Sequence, residues 1–153
     1  MFRGINSVNV DPKGRLAMPT RYRERLQQNS NENAQIIATI DTEESCLLLY
    51  PLPDWELIET KLAKLPSFNP AARRIQRLLM GHATELEMDN QGRILVPPLL
   101  RDYAKLEKTA ILLGQGSKFE LWSEEAWNHR RKAWIDEGNG DAGLPEELAS
   151  LSL

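Results

Sequence analysis

A chain of 153 residues, 27% charged and 41% apolar, suits one compact domain able to bury roughly 70% of its unfolded surface. One cysteine excludes an intrachain disulfide, no run of about 18 apolar residues is present to cross a bilayer, and residues 1–25 lack the apolar core of a secretory leader, so the sequence reads as soluble and intracellular. The net charge of -3 is unevenly spread: residues 136–153 hold Asp136, Glu137, Asp141, Glu146 and Glu147 with no Lys or Arg, whereas residues 1–25 carry six cations against Asp11 and Glu24.

In chain order, INSVNV alternates with Val8 and Val10 on one parity, the pattern of a half-buried strand. DPKG breaks it with the preferences of a type I turn, in which Asp11 can accept hydrogen bonds from turn amides. LAMP then resumes an extended pattern, and Thr20 is placed to cap a helix over RYRERLQQ. The polar run QQNSNENAQ reads as an enlarged surface loop. IIATI and CLLLY form a hairpin, with Cys46 as a small apolar strand residue, and DWELIETKLAKL follows as a helix. A linker helix is expected from about residue 70, after Asn69 and Pro70, ending at Gly81 and bearing Arg73, Arg74 and Arg77. By default those arginines form a solvated face or pair with acids.

The chain then repeats itself. With an offset of 78, Asp11, Gly14, Arg15, Pro19 and Arg23 fall on Asp89, Gly92, Arg93, Pro97 and Arg101, and Val8, Val10, Leu16 and Met18 fall on Leu86, Met88, Ile94 and Val96. The second copy runs ELEM, DNQG, RILVPP, a helix opened by Pro98, a hairpin AILLG–QGSK–FELW and a helix over SEEAWNHRRKAW capped by Ser123. Tyr50, Trp55, Trp122 and Trp127 recur at matched positions, which favours core packing over base stacking, while Trp134 and the Trp127 face of the last helix are candidates for contact with another subunit. Half-domains of about 60 residues are marginal alone, so the two copies are expected to share one core in an α+β fold. The expected division is a first repeat over 1–66, a linker helix over 67–80, a second repeat over 81–135 and an acidic, mobile tail over 136–153 with a short helix at PEELASL.

The catalytic inventory is thin. His82 and His129 belong to no metal-ligand spacing, and GxSxG, GxGxxG and P-loop patterns are absent from the sequence. A carboxylate pair of Asp11 and Asp89 is opposed by an Arg four residues after each, which holds the acid ionised. No enzyme, cofactor, metal or small-molecule substrate is expected. For nucleic acid the inventory is fuller: a two-stranded ribbon fits the major groove, Arg can bond guanine bidentately, and Lys can neutralise phosphate. Asp11 with Arg15, and Asp89 with Arg93, can equally be plain surface ion pairs.

MFRGINSVNVDPKGRLAMPTRYR followed by a second DNQGR with ILVPP resembles the MraZ family of bacterial transcriptional regulators, associated with the division and cell-wall gene cluster, and the resemblance runs from Met1 to about residue 135. It implies a pseudo-symmetric swapped-hairpin β-barrel of the AbrB/SpoVT type with flanking helices, both copies coming from one chain. It further implies a ring-shaped homo-oligomer, a repressor binding short direct repeats of double-stranded promoter DNA including its own, with no membrane contact and a cytoplasmic, nucleoid-associated location. The family's DxxxR falls on Asp11 and Arg15 and on Asp89 and Arg93. Arg15 is then the leading DNA contact, with Lys13 and Arg3 beside it and Asp11 orienting the loop; in the second copy Gln91 stands where Lys13 stands in the first. The alternative is an antitoxin-like module whose acidic tail occupies a protein partner.

Overall fold

The computed structural model describes residues 1–28, 33–138 and 145–151. Part of the polar run after Gln27 and part of the acidic tail therefore lie outside the described residues.

Strand β1 (Phe2–Asn9) leads through the first turn to β2 (Arg15–Ala17) and helix α1 (Thr20–Gln27), then to the hairpin β3 (Gln35–Ile40) and β4 (Leu47–Pro51), α2 (Leu52–Ala63) and α3 (Pro70–His82). The second copy follows as β5 (Thr84–Glu87), β6 (Arg93–Leu95), α4 (Pro98–Ala104), β7 (Thr109–Gly116), β8 (Lys118–Ser123) and α5 (Glu124–Glu137), with a short α6 (Glu146–Ala149) beyond. Among the described residues no helix is long and apolar enough to cross a membrane.

Pairing crosses between the copies. The antiparallel sheet runs β1-β7-β8-β4-β3-β5, so the first strand of each copy lies against the hairpin of the other, and β2 pairs with β6 in a separate two-stranded ribbon. Hairpin β7–β8 turns at Gly116 and Ser117, since Gln115 is paired with Lys118.

Strand alternation divides the apolar residues between the two faces of this sheet. Ile36, Ala38, Ile40, Leu47, Leu49, Leu112, Phe119 and Leu121 point to the inner face, where Val8, Leu16, Tyr22 and Leu100 from both copies complete the main core. On the outer face Ile37, Tyr50, Trp55 and Leu62 pack with Ile75 and Leu79 of α3. Beside them Cys46, Ile111, Leu113 and Trp122 pack with Ala126 and Trp127 of α5. The shared core expected from the repeat is present, and the ribbon and outer helices lie on opposite sides of the sheet.

Two element ends differ from the sequence reading. Thr20 is the first residue of α1 and makes no capping bond; Pro19, already at φ -53 and ψ 139, is the N-cap. Helix α3 passes through Gly81 and ends at His82, because Gly81 keeps negative φ and Ala83 N–H closes the last turn on the Met80 carbonyl. The cap read at Ser123 is present, its Oγ accepting from the Ala126 amide, and Asn69 caps α3 by accepting from the Ala71 and Ala72 amides.

Candidate nucleic-acid interface

Each duplicated turn is built around its aspartate. Asp11 Oδ1 accepts from the amides of Lys13 and Arg15, both at 2.9 Å, while Gly14 N–H bonds the Asp11 carbonyl. Asp89 repeats this with the amides of Gln91 and Arg93, also at 2.9 Å, and with Gly92. Gly14 and Gly92 stand at φ +92 and +75, a region that costs other residues about 1–2 kcal/mol. The remaining carboxylate oxygen of each aspartate takes the arginine Nε, at 2.8 Å for Arg15 and 3.2 Å for Arg93. In both arginines the terminal guanidinium nitrogens bond nothing else among the described residues.

The ribbon locks the two turns together. Met18 N–H reaches the Gly92 carbonyl at 2.8 Å and Val96 N–H the Gly14 carbonyl at 2.9 Å, so each copy's strand clasps the turn of the other. Opposite each glycine lies an arginine side chain of the other copy: Arg101 against Gly14 and Arg23 against Gly92. The match is imperfect, for Arg23 Nε donates to the Met18 carbonyl at 2.7 Å, whereas Arg101 Nε is buried without a partner among the described residues.

Leu16 and Ile94 are directly paired and face the core, which turns Arg15, Ala17, Arg93 and Leu95 to the outer face. Arg15 pairs with Leu95 and Ala17 with Arg93, so the arginines are diagonal neighbours on one face, with backbones about 7–8 Å apart. Leu95 is 53% exposed between them. A two-stranded ribbon carrying two forked donors on its open face has the dimensions of a major-groove reader, the groove being about 12 Å wide.

Of the residues singled out in the sequence, Asp11, Lys13, Arg15, Asp89 and Arg93 come together at the ribbon, with Lys13 exposed at the tip of its turn. Arg3 does not join them. It pairs with Gln115 at the far end of β1, eight residues of extended chain from Asp11, or about 26 Å, so its expected place beside Arg15 is corrected. Lys108, which the sequence reading missed, is exposed and its carbonyl accepts from Val10 N–H next to the first turn; the same bond at the second turn, from Met88 N–H, is to Ala34. Only the β1–β7 register reveals this neighbour. The first turn is thus the more basic of the two.

The Arg15 amide, followed by its guanidinium, holds the Asp11 carboxyl below its ordinary value of 3.8, and the Arg93 amide is the largest influence holding Asp89 below the same value. A lowered folded pKa contributes stability above the ordinary value and loses it as pH falls through the folded one. Asp11→Asn/Asp89→Asn, which keeps the amide acceptors, is therefore expected to melt below the wild type at neutral pH and to converge with it well below pH 3.8. Melting curves between about pH 7 and about pH 2.5 check this; a gap unchanged across that range contradicts it.

Among the described residues one cluster outside the ribbon has metal-ligand character: Asp41, Cys46 and Glu120 bring ligand atoms within 4.8 Å of one another. Protein contacts already occupy it. Cys46 Sγ donates to Asp41 Oδ2 at 3.8 Å and Trp122 Nε1 to Glu120 Oε1 at 2.9 Å. Burial, followed by the Glu120 and Asp41 charges, pushes the Cys46 thiol far above its ordinary range, so it remains a protonated donor. Tyr50, Trp55 and Trp122 are buried away from the ribbon, while Trp122, Trp127 and Trp134 stack edge to face with Trp134 39% exposed.

A family model described as "MraZ protein, putative antitoxin-like" matches the chain twice, over residues 1–78 and 79–139. Among curated relatives, the transcriptional regulator MraZ of Hydrogenovibrio crunogenus is 60% identical over 153 residues, covering 99% of this chain and 98% of its own. The transcriptional regulators MraZ of Legionella pneumophila (strain Corby) and Coxiella burnetii (strain Dugway 5J108-111) are 55% and 56% identical, each over 100% of both chains.

Proposed function

This chain belongs to the MraZ family, and from that premise we propose that it is a DNA-binding transcriptional regulator that represses by gripping short direct repeats in promoters, its own included. It is a regulator and not an enzyme. The observation that carries the reading is the ribbon, on which two copies of one turn hold Arg15 and Arg93 on a single open face. Arg15 is the leading base or phosphate contact, Lys13 neutralises phosphate, Asp11 and Asp89 hold the loops, and Arg93 is the weaker partner, with Gln91 beside it. Arg3, at the far end of β1, would meet only a neighbouring stretch of DNA.

The exchange of strands between copies supports a swapped-hairpin barrel of the AbrB/SpoVT type, with 1–66 and 81–135 as its repeats, 67–80 as linker and 136–153 as an acidic tail. Trp134 and Ile135, exposed on α5, support assembly into a ring-shaped homo-oligomer. Several ribbons on successive repeats would raise avidity by about 10²- to 10⁴-fold when the spacings match. The location that fits is the cytoplasm, on the nucleoid.

Mobility shifts on the protein's own promoter test this reading. Binding is expected to prefer that fragment over a scrambled one, and log affinity to fall against log salt by about 0.9 per phosphate contacted. Equal affinity for both fragments, or a flat salt response, contradicts it. A second reading, an antitoxin-like module, is favoured by the acid-only segment after Ile135. Removing residues 139–153 leaves promoter binding intact on the first reading; a small basic nuclease that co-purifies and is lost with that segment favours the second.

A further inference from the structure

We propose that the exposed basic surface made by α3 and the C-terminal end of α2, beyond Glu59, is a second binding surface for duplex DNA, one that holds phosphates without reading sequence. Residues 60–84 contain Lys61, Lys64, Arg73, Arg74 and Arg77 and not one acid. All five are exposed. Gln76 Nε2 donates to the Leu62 carbonyl at 2.8 Å and ties the end of α2, which carries Lys61 and Lys64, to α3.

The arrangement costs the isolated chain stability. Arg73 and Arg77 are like charges at i,i+4, Arg74 and Arg77 at i,i+3, and Arg73 and Arg74 stand near the positive end of the α3 dipole. Four cations elsewhere have carboxylate partners among the described residues: Arg15 with Asp11, Arg93 with Asp89, Arg130 with Glu44 and Lys132 with Asp136. Among the described residues none of these five cations has a carboxylate within 4.0 Å. An outside polyanion supplies what the fold does not, and duplex DNA offers a continuous one, about one charge per 1.7 Å of axis. The acidic segment of a neighbouring copy fits less well: Asp136 is already offset by Lys132, and its other acids are spread along the chain to Glu147.

Ile75 and Leu79 seat α3 on the outer side of the sheet, whereas Leu16 and Ile94 seat the ribbon on the inner side. One duplex lying on the ribbon therefore leaves this face free for another. The chain becomes a bridge between two DNA segments, a property that does not depend on what the ribbon recognises.

The test loads full-length protein on bead-held promoter duplex and adds a labelled duplex of unrelated sequence. Wild type is expected to retain the second duplex, and to lose most of it between about 50 and about 200 mM salt. Arg73→Gln/Arg74→Gln/Arg77→Gln is expected to keep promoter retention within about twofold and to lose at least about tenfold of second-duplex capture, with the all-lysine replacement restoring it. Lys61→Gln/Lys64→Gln, which leaves α3 untouched, lowers capture in the same direction. Failure of the wild type to capture, or normal capture by the glutamine variants, overturns the proposal. So does a change of assembly mass in the arginine variant that deletion of residues 139–153 reproduces, which would assign the face to a neighbour's acidic segment. Failure of promoter retention by the wild type would instead count against the ribbon.

Discussion

Arg15→Ala/Arg93→Ala is expected to weaken promoter binding by about 10²- to 10⁴-fold, at 1–3 kcal/mol for each arginine that bonds a base edge. The protein should stay folded. What shapes each turn is the aspartate accepting backbone amides and the glycine at positive φ, and neither needs the arginine side chain. The lost ion pairs lie near the surface, with arginine side chains 37% exposed, and such pairs contribute only about 0–1 kcal/mol. Of the single variants, Arg15→Ala is expected to have the larger effect, because Lys13 and Lys108 concentrate positive charge at the first turn. Mobility shifts beside thermal melts separate the two effects: loss of binding with an unchanged melt supports the assignment, and wild-type affinity in the double variant removes it.

Gly114→Ala should be the most damaging single methyl addition in the fold. A Cβ at this position comes within 2.4 Å of Arg3 N and 2.7 Å of Arg3 Cα, both backbone atoms that no rotamer change can move aside. Gly114 is paired with Gly4, at the point where β1 crosses over to the second copy's hairpin. Forcing these strands apart detaches the element that joins the copies and loosens Phe2, which packs on Phe119 with ring centroids 4.3 Å apart. A loss of about 3 kcal/mol or more is expected, a fall in Tm of about 6–12 °C for a chain of this size. Calorimetry checks it; a shift under about 2 °C would mean that the β1–β7 contact yields more easily than its backbone spacing implies.

Much of this architecture could be read from the residues alone. The repeat aligned both turns, and the alternation of Val8 and Val10, and of Leu86 and Met88, gave the buried faces because a strand's side chains alternate. Asn69 and Ser123 announced their helices because a cap is a local hydrogen bond. The pairing partner of β1 was not legible from periodicity, since Val8 meets Ala110 across about a hundred residues and an apolar strand fits either hairpin. Arg3 is close to Arg15 in sequence, but the extended length of β1 separates them, whereas Lys108 is far away in sequence and the pairing of β1 with β7 brings it beside the first turn. The acid-free span from Thr60 to Thr84 was visible as composition, but Lys61 and Lys64 join Arg73, Arg74 and Arg77 only once α2 is bonded to α3.

The central claim is that nucleic acid lies against the outer face of the β2–β6 ribbon. A DNA-cleaving iron chelate tethered at Ala17→Cys tests it directly, because Ala17 is exposed opposite Arg93 while the chain's own Cys46 is fully buried and escapes labelling. On promoter DNA the labelled protein is expected to cut inside the bound repeats, once per ribbon engaged. A labelled protein that binds with wild-type affinity and leaves the repeats uncut would contradict the account.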